Sequence, residues 1–174
     1  MFASLTSIYL WVVFAHVASV FGFLLAHGVS TGVLFKLHGE RQVERIRALL
    51  DLSRRSVVWA YVFLILIGVT GFTAAYLGDW WRQVWIWASA TLLILISLAM
   101  SWIGDPYYDR LREAVGLKEP KRKKTAPAPG EPLPDTPASE EELLKLLRSP
   151  RPWFLALVGI VGLAGILWLM VLKP

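Results

Sequence analysis

Residues Thr6 to Phe35 read TSIYLWVVFAHVASVFGFLLAHGVSTGVLF, thirty consecutive residues without a charged side chain, in which the strongly polar groups are His16 and His27. At ~1.5 Å rise per residue this run makes a helix of ~45 Å, more than the ~30 Å of hydrocarbon in a bilayer. Three further charge-free runs follow, at 56–78, 83–104 and 152–172. Each is close to the ~20 residues that a spanning helix requires. The expected fold is therefore all-α: a polytopic membrane protein with four transmembrane helices, the first at about 6–35, in one domain covering 1–174. The first run lacks a basic leader and a small-residue cleavage site and is about twice the length of a signal peptide's apolar region, so it reads as a retained span.

Composition agrees with this class. Apolar side chains make up 56% of the chain, and they come in long blocks instead of with amphipathic period. Cysteine is absent, which excludes disulfides, thiolate metal sites and cysteine nucleophiles. Sixteen of the eighteen Lys and Arg residues lie in the two long connections, from Lys36 to Arg55 and from Asp105 to Arg151. Cytoplasmic loops carry the Lys/Arg excess, so both connections are expected inside and both termini outside, N-out/C-out, in a bacterial inner membrane. A net charge of +5 placed this way suits anionic lipid headgroups better than nucleic acid.

Between the spans the chain carries local signals. Val43, Ile46, Leu49 and Leu50 form one apolar stripe within Glu40 to Leu52, expected as an amphipathic cytoplasmic helix on the membrane surface or over the bundle end. A very short turn around Gly78, Asp79, Trp80 and Trp81 should make spans two and three antiparallel neighbours. Asp105 and Pro106 look like an N-cap and first-turn pair, with Gly116 as a stop, giving a short separate helix. Residues 118–138 hold six prolines and the cluster Lys121, Arg122, Lys123 and Lys124, a flexible linker whose basic residues are candidate lipid contacts. Ser139 and Glu142 then form a capping box ahead of Leu143, Leu144, Leu146 and Leu147, and Pro150 and Pro152 separate that helix from span four. Both connections end in a leucine-rich helix, a serine and an arginine before a new span, which outlines a two-plus-two duplication, although the glycines of the two halves do not align.

Eight of the nine tryptophans fall toward span ends, where indoles anchor at headgroup level; stacking of a ligand on Trp80, Trp81 and Trp85 is the less economical reading. Gly159, Gly162 and Gly165, Gly68 and Gly71, and Ser19, Gly22 and Ala26 are small enough to bring helix backbones together. A groove for a flat ligand such as a porphyrin or quinone is the sharper alternative.

No Asp, Glu, Lys or Arg lies within a span, which argues against ion pathways and proton relays. Histidine carries what chemistry there is. His16, His27 and His38 are spaced by eleven, which returns to within ~20° of the same direction, so all three share one helix face. His16 and His27 lie ~16 Å apart along the helix and cannot bind one iron together. As candidate haem b or copper ligands each would need a partner from elsewhere, and Met100 and Met170 are weak candidates as soft sulfur donors. The plainer reading has each imidazole satisfied by Ser19, Ser30, Thr31, a backbone carbonyl or a hydroxyl from another helix. Nucleophile elbows, phosphate loops and paired carboxylates are missing, so autonomous catalysis is not expected.

Several segments carry a resemblance: Phe14-Ala15-His16-Val17, Leu25-Ala26-His27-Gly28-Val29-Ser30, Ala48-Leu49-Leu50-Asp51-Leu52-Ser53-Arg54-Arg55, Trp85-Ile86-Trp87-Ala88-Ser89, and Trp168 to Pro174. The chain resembles a group of uncharacterised bacterial four-helix integral membrane proteins, loosely similar to copper-resistance D-type proteins. It is also similar, at His16, to small four-helix proteins of the haem-dependent protoporphyrinogen oxidase group. That second likeness implies haem binding at most, since the basic and aromatic residues accompanying the histidine there are not present. The leading expectation is a scaffold or accessory subunit of a larger membrane assembly, for instance a respiratory or photosynthetic one, in contact with lipid and with partner subunits or a second copy. The alternatives are a haem b or copper-binding redox or metal-handling protein, and a small-molecule permease.

Overall fold

The computed structural model describes residues 2–117 and 140–173, and all regular structure among them is helical. Five helices follow in order: α1 (Phe2–Gly39), α2 (Val43–Leu77), α3 (Val84–Ala114), α4 (Glu140–Leu147) and α5 (Arg151–Leu172). Four of them, α1, α2, α3 and α5, are long and apolar enough to cross a membrane. The proline-rich linker, its cluster Lys121, Arg122, Lys123 and Lys124, and Ser139 of the capping box lie outside the described residues.

Two helices are longer than the sequence pattern predicts. The stripe over Val43 to Leu52 is not a separate surface helix; it is the first part of α2, which runs unbroken into span two. Nothing between Leu52 and Ser56 breaks a helix, and Ser56 Oγ donates to the Leu52 carbonyl at 2.9 Å, within the helical ladder. Likewise Asp105 and Pro106 do not begin a new helix: Pro106 sits inside α3. An internal proline removes a ladder hydrogen bond and costs ~3 kcal/mol or more in isolation. Here continuation lets Tyr107, Leu111 and Ala114 bury against other helices, and that packing outweighs the local preference. Gly116 does stop α3, with φ +72°; Gly116 N–H bonds Glu113 O at 3.1 Å and Leu117 N–H bonds Arg112 O at 2.8 Å. These two bonds form a Schellman motif.

The opposite end uses the same closure with a different residue. Trp80 N–H bonds Ala75 O at 2.9 Å and Asp79 N–H bonds Tyr76 O at 3.2 Å, so Asp79, at φ +54°, takes the left-handed position and Gly78 does not. The tight turn makes α2 and α3 sequential neighbours but not the main packing pair. Helix α1 lies along α2, and α3 lies along α5, while α2 touches α3 at few places.

Small residues set both main contacts. In the α1–α2 pair His16 meets Gly71, Gly22 meets the Phe63 ring and Ser30 meets Ser53, a steady antiparallel register. In the α3–α5 pair Leu92, Ile96 and Met100, four residues apart, fit over Gly165, Gly162 and Gly159, three residues apart. Side chains of one i±4 row thus enter the groove of an i±3 row. Gly68, expected among these contacts, faces open space instead.

The tightest packing lies at the basic end. Leu37, Ile46, Leu50 and Leu111 are fully inaccessible, and Val33, Leu34, Tyr107, Ala114, Val115, Leu143 and Leu147 complete the cluster. Arg47 Nε reaches across it to the Val115 carbonyl at 2.8 Å. At the α1–α2 turn the Glu40 carboxylate accepts the N–H groups of Arg41 and Gln42 at 3.0 and 3.2 Å, which holds its carboxyl below the usual range.

Gly22→Ala places a methyl in the Phe63 ring and should lower unfolding stability by about 1–3 kcal/mol. Gly68→Ala, with space around it, should be neutral or stabilise by up to ~1 kcal/mol through helix propensity. Denaturation in mixed detergent followed by circular dichroism measures both.

Candidate functional site

On the shared face, His16 and His27 are partly buried against other helices and His38 is exposed but bonds α4, while Phe14, Phe21, Leu25 and Phe35 project from α1 on the exposed side. The line of spacing eleven thus turns inward at His16 and His27, and each of the three imidazoles meets a different neighbour.

His16 packs on α2. Its Nδ1 lies 3.1 Å from Thr70 Oγ1, and its ring covers Gly71, where a Cβ would come within 3.0 Å of Cε1. Thr70 has one hydroxyl hydrogen, which it donates to the Leu66 carbonyl at 2.5 Å. Its oxygen therefore accepts from His16 Nδ1–H, which leaves the lone pair on Nε2. The partner is a hydroxyl from another helix, and none of Ser19, Ser30 and Thr31 serves: Ser19 and Thr31 donate to the carbonyls of Ala15 and His27, and Ser30 pairs with Ser53 at 2.9 Å.

His38, at the basic end of α1, has Nδ1 2.8 Å from the Leu147 carbonyl and so donates to the last residue of α4. This contact ties the short helix to α1. Beside it, across the same end, the Tyr108 hydroxyl stands close to both Ser30 and Ser53, and the Arg112 guanidinium lies 5.9 Å from the Tyr108 ring centre.

His27 faces α3 and α5. Its ring stacks on Phe23 with centroids 5.4 Å apart and planes 6° from parallel. The Cβ position of Gly159 is 3.7 Å from His27 Nε2 and 2.9 Å from Met100 Cε, so the imidazole and the thioether converge on one point of α5. The structure therefore brings His27 and Met100 together and keeps His16 apart from both. Met170 is eleven residues beyond Gly159, ~16 Å further along α5. The candidate lipid contacts Lys121, Arg122, Lys123 and Lys124 lie outside the described residues. Among the described residues no group of three or more His, Cys, Asp or Glu side chains could hold a metal ion.

At the end opposite the basic connections, the aromatic residues form two clusters. Tyr9 meets Trp80 edge-on, Trp80 meets Trp85 at 5.5 Å, and Lys173 Nζ sits 4.3 Å from the Trp80 ring centre and 5.5 Å from that of Trp85. Phe72 stacks on Trp81, whose carbonyl accepts the Trp87 indole N–H at 2.9 Å. Trp85 is buried, so it is packing within the protein; Trp11, Trp59, Trp102, Trp153 and Trp168 are exposed as membrane anchors would be. A cation over tryptophan contributes roughly 0.5–2 kcal/mol, and this one clasps the end of α5 to the α2–α3 turn.

Sequence reasoning alone finds Gly71 as a helix contact but does not find Thr70, the Tyr108 hydroxyl or the Lys173 clasp. The adjacent Thr70 and Gly71, a hydroxyl next to a residue without a side chain in mid-span, are the one local signal pointing to a histidine seat.

The His16–Thr70 pair should couple in a double-mutant cycle of His16→Ala and Thr70→Val. The expected interaction is about 0.6 kcal/mol and no more than ~1.7 kcal/mol, as for interhelical hydrogen bonds in lipid, measured by unfolding in detergent. Comparison of the chain with protein families, with curated proteins and with solved structures finds no match.

Proposed function

We propose that this protein is a multi-pass membrane scaffold, an accessory subunit that packs beside the helices of a larger assembly and has no catalysis of its own. One observation carries the reading. Of the most apolar window of each spanning helix, only 6%, 0%, 6% and 11% is buried within the chain, for α1, α2, α3 and α5 respectively. Two helix pairs that touch each other lightly leave long apolar faces on both sides, including Phe14, Phe21 and Leu25 on α1 and Ile160, Val161 and Leu167 on α5. Lipid or neighbouring helices must cover these faces. The absence of charge within the spans adds support, since transport and proton relay normally place ionisable groups there.

The proposed orientation has the basic connections in the cytoplasm and both termini outside, on the ground that sixteen of eighteen Lys and Arg residues sit on one side. The native chain has no cysteine, so single-cysteine reporters are clean. Asp79→Cys should react with a membrane-impermeant maleimide on intact cells, and Arg41→Cys should react only after permeabilisation. The reverse pattern sinks the orientation.

The scaffold reading predicts that protein extracted in mild detergent migrates on native gels in a complex of fixed stoichiometry, with cross-links from the exposed faces of α1 and α5. A single species of one 19.6 kDa chain plus micelle, with no cross-linked partner in native membranes, would overturn it.

A further inference from the structure

We propose that the groove between α4 and the start of α5 seats the headgroup of an anionic phospholipid, its phosphate held by Lys145, Arg148 and Ser149. The groove has a volume of about 600 Å³ and is lined by Glu141, Leu144, Lys145, Arg148, Ser149 and Pro150. Glu141, Leu144, Lys145 and Arg148 stand at i, i+3, i+4 and i+7 and so share one face of α4. The helical ladder reaches the last of them, because Arg148 N–H bonds the Leu144 carbonyl at 3.0 Å. Leu143 and Leu147 lie on the other face, buried in the core of the basic end.

The groove opens at headgroup depth. Trp153 and Phe154, exposed in the first turn of α5, follow Pro150 directly, and exposed aromatic rings at the start of a span mark the level of the lipid headgroups. Helix α4 is held at that level from two sides: His38 donates to the Leu147 carbonyl at 2.8 Å, and the Phe35 and Trp153 ring centres are 4.9 Å apart. The cations are therefore presented by a braced helix.

Their donors are also available. Among the described residues neither Lys145 nor Arg148 has an ion-pair partner, and Glu141 stays outside ion-pair reach of both, which leaves the groove a net positive charge. The Ser149 hydroxyl accepts the Arg151 N–H at 3.3 Å and keeps its own hydrogen to donate. Backbone donors are spent or missing here: Pro150 and Pro152 have no N–H, and those of Trp153 and Phe154 turn to the Pro150 carbonyl at 3.1 and 3.3 Å. An anion must then be held by side chains, and a guanidinium, an ammonium and a hydroxyl suit phosphate oxygens. Leu144 and Pro150 in the wall, with Trp153 and Phe154 beyond it, give a lipid's glycerol and chains an apolar surface that a free phosphate would leave unused.

Phosphatidylglycerol is the probe and phosphatidylcholine, whose own cation opposes the groove, its control. In native mass spectrometry of the full-length protein in detergent, the first phosphatidylglycerol should bind about tenfold or more tighter than phosphatidylcholine. Lys145→Gln and Arg148→Gln should each weaken it about fivefold, and the pair about 25-fold, whereas Arg54→Gln with Arg55→Gln, the same charge removed elsewhere at this end, should leave it within about twofold. All four positions are exposed, so the variants should fold; circular dichroism checks this, and Lys145→Gln alone carries the test if the pair is unstable. The proposal fails if the two lipids bind equally, if the groove pair binds as the wild type does, or if the Arg54 and Arg55 pair loses as much. Displacement of the lipid by millimolar inorganic phosphate would make this an ion site and overturn it, and tighter binding of an oligoglutamate peptide would do so in favour of a protein partner.

Discussion

A bilayer interior offers a peptide group no partner and an apolar side chain no gain from leaving its surroundings, and the whole structure follows from these two facts. Every backbone N–H and C=O in a span must be satisfied within it, which leaves the helix as the local solution for the four runs. Hydroxyls obey the same constraint. Ser19, Thr31, Thr73, Ser89 and Ser97 all donate to the carbonyl four residues before them, so they add no unsatisfied group to the interior. Burial is not what brings the helices together there; close approach at glycine is. The Leu92, Ile96 and Met100 row over Gly165, Gly162 and Gly159, and the Phe63 ring over Gly22, are the contacts that result.

The basic end obeys the other regime. Where the helices run on past the charge-free stretches, water returns and apolar burial becomes favourable again, at roughly 25 cal/mol per Å². The fully inaccessible leucines and isoleucine gather there and not in mid-span. This contrast explains why α2 and α3 extend where the local sequence suggests breaks. Ile46 and Leu50 on one helix, and Tyr107 and Leu111 on the other, have a core to enter only if the helices continue, and that core offsets an internal proline at Pro106.

Histidine placement shows how one periodicity can serve three purposes. Spacing by eleven puts His16, His27 and His38 in a line on α1, yet the elements opposite that line differ along its length. A hydroxyl and a glycine meet His16, a helix-terminal carbonyl meets His38, and His27 faces a thioether across a glycine of α5. Chemistry on this face is therefore decided by what stands across from each ring and not by the ring itself.

The sequence by itself determined the class, the number of spans and that His16, His27 and His38 share one face of α1, because length, charge exclusion and helical period are properties of one segment at a time; which way that face points was left to the tertiary structure. The Schellman stop at Gly116 and the proline boundary before α5 were legible for the same reason. Only the tertiary structure decided that α1 pairs with α2 and α3 with α5, that Gly68 is left open while Gly22 is filled, and that Met100 rather than Met170 meets His27. Those outcomes depend on the rotation and depth at which separate helices meet. Such quantities are set by pairs of surfaces, and no single stretch of chain encodes them.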